Sequence, residues 1–333
     1  MPVLRDIGLW KLASTVKEKE EAAPLQRPPS PPSSYNIRCS RFPAHKPRDL
    51  RIPSPQAITH VAWSCDGKRL AGIETNVRTI YCISSGATLP ATHFSGGDSD
   101  DVDYISWNPT HPELFCTSSQ KDRRIVFGMH DAKSRYTQQM VLKISPVQTN
   151  YSPDGRTLIF TSAGLQLFFL THRKDGDATK AHIVASAAMF NHVGDGIILT
   201  HYSEHSLTLR ESPAAHVGGC VAVALDPQGR YLASGGYDSI VNMFDLSEWI
   251  CARTISTCEN AINALSFSYD GEYLAIAYAT ETGAPLHRVP ALAPSPTVTW
   301  HPSKYVFAYC GQTKLREGGP PPVAIISLLG GGI

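Results

Sequence analysis

Seven times along this chain, a short apolar run ends in a large residue and passes at once into a polar turn and a second apolar run. The clearest copy is residues 216–246. There Val221–Leu225, Tyr231–Gly235 and Ile240–Phe244 are separated by Asp226-Pro-Gln-Gly229 and Gly236-Tyr-Asp-Ser239. Each run is too short for a helix, and each break carries the Gly, Pro and Asp chemistry of a tight turn. Three strands of an antiparallel meander are therefore written in one line.

The large residues that close the first run of each copy are Trp63, Trp107, Tyr151, Phe190, Leu225, Phe267 and Trp300, at separations of 44, 44, 39, 35, 42 and 33. A repeat of about 40–45 residues made of short strands is the spacing of four-stranded propeller blades. One such sheet cannot bury both faces alone, whereas a ring of them can. The chain is thus expected to be all-β: a seven-bladed propeller over residues 49–330, preceded by a largely disordered arm over residues 1–48.

Within each blade the anchor run is strand a. Strand b follows at Arg69–Ile73, Leu114–Ser118, Thr157–Thr161, Ile197–His201, Tyr231–Gly235, Tyr273–Ala277 and Tyr305–Cys310. Strand c is placed at Thr79–Ile83, Arg124–Phe127, Leu165–Phe169, Ser206–Leu209, Ile240–Phe244 and Val323–Leu328. The outer strand d is clearest at Gln138–Ile144 and Ile250–Ile255. The last blade needs an outer strand, and Asp49–Ile52 is the candidate, which would close the ring and remove an open edge. Blades four and six read as incomplete: Arg210–His216 leaves no room for a strand d, and the chain between Phe267 and Trp300 is short. Two explanations fit, true divergence of these blades or a coding sequence that has lost pieces at exon junctions, and the intact flanking motifs and strand-sized deficits favour the second.

Ahead of the repeats, Leu9, Leu12 and Val16 suggest a short helix within residues 1–22. Residues 24–34 carry five prolines and read as extended linker. Residues 1–52 hold ten basic and five acidic side chains, and the remainder 20 and 24. A basic arm thus precedes an acidic body, with no dense basic run of the kind that marks a nucleic-acid-binding arm. Eight cysteines form no C-x-x-C pair and read as reduced thiols. No apolar run approaches the roughly 20 residues of a membrane span.

His216, Ser234 and Asp238 are the residue types of a nucleophilic triad. Residues 216–246 also resemble a WD40 repeat, and that resemblance implies a different role: a structural hydrogen-bonded network of the His before strand a, the Ser in strand b and the Asp of the b–c turn, with Phe244 where WD40 repeats usually add a Trp. No G-x-S-x-G, Walker loop or dinucleotide fingerprint occurs. Asp98–Asp103 lacks the glycine and distal glutamate of a calcium loop, and Lys121–Arg124 reads as an exposed hairpin turn. No catalytic, cofactor or metal residue is assigned, and no small-molecule substrate is expected.

At the anchors and their flanks the sequence resembles WD40 proteins of one family, the WD40 subunit of the THO complex of the transcription–export machinery. The carrying stretches are His60-Val-Ala-Trp-Ser-Cys-Asp-Gly-Lys-Arg-Leu-Ala71, Asp101-Val-Asp-Tyr-Ile-Ser-Trp-Asn-Pro109, Asp226–Val241, Trp249-Ile-Cys-Ala-Arg-Thr254, Leu265–Gly271 and Thr297–Pro302. The resemblance implies a nuclear, non-enzymatic scaffold that couples transcription and mRNA packaging to export and has other THO subunits as partners. The alternatives are a WD40 adaptor of another nuclear complex, in chromatin or a ubiquitin ligase, and RNA binding through the basic arm.

Overall fold

The computed structural model describes residues 5–11, 47–52, 58–74, 77–82, 91–95, 102–130, 135–171, 179–200, 214–216, 219–256, 258, 260–278, 297–312 and 324–330. These residues contain no helix. Their 26 strands form seven antiparallel sheets, six of four strands and one of two.

Blade one is β3 (Ile58–Trp63), β4 (Arg69–Glu74), β5 (Val77–Cys82) and β6 (Ala91–Ser95). Blade two is β7 (Tyr104–Trp107), β8 (Leu114–Ser119), β9 (Arg124–His130) and β10 (Arg135–Val141). Blade three is β11 (Pro146–Tyr151), β12 (Thr157–Ser162), β13 (Gln166–Thr171) and β14 (Thr179–Val184). Blade five is β18 (Cys220–Leu225), β19 (Tyr231–Gly236), β20 (Val241–Asp245) and β21 (Ile250–Ile255). All three anchor positions expected in blades one to three, and that of blade five, are the last residues of their first strands.

The same holds in the remaining blades. In blade four β15 (Ala187–Phe190) ends on Phe190, in blade six β22 (Ile262–Phe267) on Phe267, and in blade seven β24 (Val298–Trp300) on Trp300. The reason is spatial. The anchors other than Tyr151 and Leu225 are at most 8% exposed, and each sits where strand a meets the neighbouring sheet. The core is not one body but seven apolar clusters, one in each gap between adjacent blades. This distribution is what a repeat unit with two apolar faces requires. In the gap between blades seven and one, for example, Val61, Trp63 and Leu70 meet Val306, Ala308, Ile326 and Leu328.

Ring closure follows the expected scheme. In blade seven, β24, β25 (Val306–Gln312) and β26 (Ala324–Gly330) are completed by β2 (Arg48–Ile52) from the other end of the chain. The register sets Asp49 opposite Ser327 and Leu50 opposite Ile326, and the Ser327 hydroxyl donates to Asp49 Oδ1 at 2.6 Å.

Blades four and six depart from the sequence reading in different ways. In blade four the third position is filled by β1 (Arg5–Lys11), between β16 (Gly196–Thr200) and β17 (Ala214–His216). Ile7 faces Thr200 across the ladder and Lys11 faces Gly196. The helix expected near the N-terminus is therefore a strand over these residues, and this part of the arm expected at 1–48 belongs to a blade. The outer strand thought to have no room exists as the three residues of β17. The expected strand c at Ser206–Leu209 lies outside the described residues. In blade six only β22 and β23 (Leu274–Tyr278) pair among the described residues.

Candidate docking faces and the buried histidine network

The propeller has two faces. Strands a and c run toward one, so the a–b and c–d turns share it, and the b–c turns lie on the other. On the first face the residue after each anchor is polar and folds its turn. In blades one, three and six that residue is a serine two positions before an aspartate. Ser64, Ser152 and Ser268 donate to Asp66, Asp154 and Asp270 at 2.6, 2.5 and 2.6 Å. The same hydroxyls accept the amide N–H of Arg69, Thr157 and Tyr273. A glycine then takes the left-handed conformation, φ +68° at Gly67, +70° at Gly155 and +71° at Gly271, where a side chain would be strained. Hydrogen bonding holds all three carboxyls below their ordinary range. At Asp154 the Ser152 hydroxyl is the main cause. At Asp66 and Asp270 burial pushes upward but is outweighed by Ser64 and Ser268 and by backbone N–H donors.

These turns also join blade to blade around the ring. His301 Nε2 donates to the Gly67 carbonyl at 3.0 Å, from blade seven to blade one. Arg69 reaches the Pro112 carbonyl and Glu113 of blade two. Asn108 Nδ2 donates to the Gly155 carbonyl at 3.0 Å, from blade two to three. Pro153 packs under Gly194, and the His192 ring under Gly229, so a Cβ at either glycine would meet the preceding blade's ring. Arg230 Nη2 donates to the Asp270 carbonyl at 3.2 Å, from five to six, and the Tyr305 hydroxyl of blade seven donates to the Asp270 carboxylate. Every pair of neighbouring turns is thus in contact. The sequence reading missed these links, although the Asn-Pro, Asp-Pro and His-Pro pairs following three anchors marked the positions.

His216, Ser234 and Asp238 come together in blade five. His216 Nδ1–H donates to Asp238 Oδ1 and Oδ2 at 3.0 and 3.2 Å. Nε2 is left as the acceptor for the Ser234 hydroxyl at 2.8 Å. Asp238 Oδ1 also accepts the Ile240 amide, which folds the b–c turn. The order of bonds is that of a triad, but Ser234 is 0% and His216 2% exposed. A carbonyl carbon has no approach to the Ser234 oxygen. Phe244 packs with Ile198, Cys220 and Leu232 and adds no polar atom.

The other residues singled out in the sequence are scattered. Gly96–Asp101 lies outside the described residues, while Asp103 Oδ2 accepts the Gln120 amide at 2.7 Å and so braces a b–c turn. Arg123 holds φ +53° in the turn of Lys121–Arg124, with its carbonyl bonded to the Leu142 amide. No group of three His, Cys, Asp or Glu able to hold a metal occurs among the described residues. Cys116 and Cys220 are buried thiols, both pushed up to about 12 by desolvation, the opposite of a nucleophilic cysteine. What the surface offers is rigid area: Val193, Ile250 and Tyr269 are exposed on the first face, and Val141 and Tyr237 on the second.

Comparison with known proteins gives a consistent family. The WD40 family, described as WD domain, G-beta repeat, matches residues 207–245. A protein of Arabidopsis thaliana named THO complex subunit 3 is 31% identical over 277 residues, spanning 77% of this chain and 87% of that protein. WD repeat-containing protein AAC3 of Dictyostelium discoideum is 21% identical over 248 residues, 67% of this chain and 51% of its own length. Among solved structures, the β-propeller domain of Myceliophteria thermophila Cps50 (Swd1) superposes with a TM-score of 0.66 at 15% identity, covering 85% of this chain and 99% of that one. That likeness concerns the fold.

Proposed function

This chain belongs to the family of THO complex subunit 3, and on that premise we propose that it is a non-enzymatic WD40 scaffold subunit of a THO complex. It works in the nucleus, where it helps couple transcription and mRNA packaging to mRNA export. The observation that carries the reading is the relationship to THO complex subunit 3 over 87% of that protein's length. It is supported by a ring in which every noted cluster of polar side chains serves the architecture. The His216–Ser234–Asp238 network, the one constellation with catalytic residue types, is a structural tie for the b–c turn of blade five. Its partners are the other THO subunits, docked on the rigid faces and edges of the propeller. Residues 49–330 form the propeller domain, and the preceding arm contributes one strand, β1, to it.

Affinity purification of the tagged protein from nuclear extract tests this. Co-purification of the larger THO subunits in stoichiometric amount is expected. Recovery of a chromatin or ubiquitin-ligase complex without them would replace the reading by a different adaptor role. Steeply salt-dependent RNA binding that is lost when residues 12–46 are removed, with β1 and β2 left in place, would shift it to the arm.

A further inference from the structure

We propose that the outer edge of blade two, β10, receives a strand from a partner protein: an extended segment that opens with acidic residues and continues with alternating apolar ones. Such docking is independent of which complex the chain serves.

The outer strand of a sheet leaves half of its N–H and C=O groups unused, and proteins guard such edges with short strands, irregular pairing, charged residues or proline. The other outer strands carry these devices. β17 has three residues, β14 and β21 pair across shifts of register, β2 has three charged residues in five, and β6 stops after five residues. β10 has none of them. It runs for seven residues, Arg-Tyr-Thr-Gln-Gln-Met-Val, with one charge and no proline, and it pairs with β9 residue for residue without a break. Gln138 and Gln139 are exposed, and Val141 is 70% exposed, more than any other large apolar side chain among the described residues.

The register tells which backbone groups point outward. Just beyond the ladder, the Leu142 N–H donates to the Arg123 carbonyl at 2.7 Å. Bonded and non-bonded pairs alternate along an antiparallel ladder, so Met140, Gln138 and Tyr136 exchange bonds with β9. Val141, Gln139 and Thr137 therefore turn their N–H and C=O groups outward, and no described strand takes them.

The chemistry of the occupant follows from the side chains at this edge. Arg124 lies opposite Val141 in the ladder, and its Nη1 donates to Gln139 Oε1 at 3.3 Å, so all three share one face of the sheet. Arg123 and Lys143 are exposed at the same end of the strand. None of Arg123, Arg124 and Lys143 forms an ion pair among the described residues. A strand added antiparallel to β10 starts at this end. Its first residues meet three positive charges, and the residue that follows them meets Val141; acidic and then apolar side chains make favourable cross-strand pairs there. A second copy of the chain offers neither. Two-fold pairing of β10 over its full length sets Val141 opposite Arg135, and β10 has no acidic residue. For RNA, no exposed aromatic ring accompanies these cations among the described side chains, so bases would have no platform on which to stack.

The test uses the full-length protein and the fluorophore-labelled peptide Asp-Glu-Glu-Thr-Val-Thr-Val-Thr, read by anisotropy and by amide exchange. Binding is expected to slow exchange of the Thr137, Gln139 and Val141 amides by roughly tenfold or more, and to leave Gln138 and Met140, already bonded to β9, unchanged. Gln139→Pro removes an outward N–H and keeps every bond to β9. It should fold and yet bind the peptide roughly tenfold or more weakly, whereas Gln139→Ala binds like the parent. Lys143→Glu should also weaken binding, and Lys-Lys-Lys-Thr-Val-Thr-Val-Thr should not bind. Absence of binding by the acidic peptide, or binding that Gln139→Pro leaves intact, overturns the proposal. Self-association of the chain that Gln139→Pro abolishes overturns it in favour of a second copy. Binding of a labelled oligouridylate that Lys143→Glu weakens and Gln139→Pro does not overturns it in favour of a phosphate site.

Discussion

The imidazole of His301 bonds through Nε2 to the carbonyl of Gly67 at 3.0 Å, across 234 positions of sequence. His301 is 5% exposed and stands edge-on to Trp63 at 4.8 Å between ring centroids. It joins the last blade to the first at the turn face, where Asn108 does the same between blades two and three through the Gly155 carbonyl. His301→Ala leaves a buried carbonyl unpaired and is expected to cost about 1–3 kcal/mol in urea unfolding. His301→Asn should recover part of this, because an amide already makes the equivalent bond at Asn108. Equal losses for the two variants would show that ring packing, not the bond, is what matters.

The second closure device lies at the outer edge of the same blade. Leu50 packs against the Val306–Leu328 side of the cluster between blades seven and one, in a strand paired with β26. Leu50→Pro takes the Leu50 side chain out of that cluster and sets a proline ring in the middle of the pairing with β26, so about 1–3 kcal/mol of stability should go. Limited proteolysis should then cut first near both ends of β26 and not in blade two or three. Uniform susceptibility across the blades would contradict closure by this strand.

Ser234 provides a sharp separation of structure from catalysis. Ser234→Ala deprives His216 Nε2 of its partner at 2.8 Å, and Gly236→Ala would place a Cβ 2.6 Å from both Asp238 Oδ1 and His216 Nδ1. Both variants should be destabilised, by about 1–3 kcal/mol for the first, with no loss of THO-subunit binding in whatever fraction stays folded. A fluorophosphonate probe should leave Ser234 unlabelled. Labelling at Ser234 would restore the nucleophile reading.

What the sequence revealed depended on how local each signal was. The seven anchors and all seven second strands could be read because each blade's first hairpin is contiguous and its turn residues are specific, as in Ser64-Cys-Asp-Gly67. The closing strand could be read because an unpaired edge demands one. Arg5–Lys11 could not. Seven residues with Ile7, Leu9 and Trp10 fit either a strand or a helix, and the choice is made by β16 and β17, nearly 200 residues away in the chain. The inter-blade bonds of His301 and Asn108 were hidden for the same reason: a polar residue after an anchor announces a turn but not the neighbour it reaches.

Acid should weaken the protein in two stages. His60, whose ring lies tilted against Tyr104 at 4.3 Å between centroids, has its pKa pushed down from 6.5 to about 4 by burial. The unfolded chain takes up a proton there that the folded chain refuses, so stability falls as pH drops from 6.5 toward 4. The turn carboxylates act lower. Asp66, Asp154 and Asp270 are held below the ordinary 3.8. Their contribution is complete above that value and is lost as pH falls through the folded-state values, when the unfolded chain is already protonated. A plot of unfolding midpoint against pH should therefore show one decline between 6.5 and 4 and a second below 3.8. His60→Phe, which keeps an aromatic ring against Tyr104, should lessen the first decline alone. Desolvation also lowers the His301 pKa, so part of that decline remains with His301. Asp154→Asn, which keeps an acceptor for the Ser152 hydroxyl, should lessen only the second. A first decline left undiminished in His60→Phe would place its origin in a histidine other than His60.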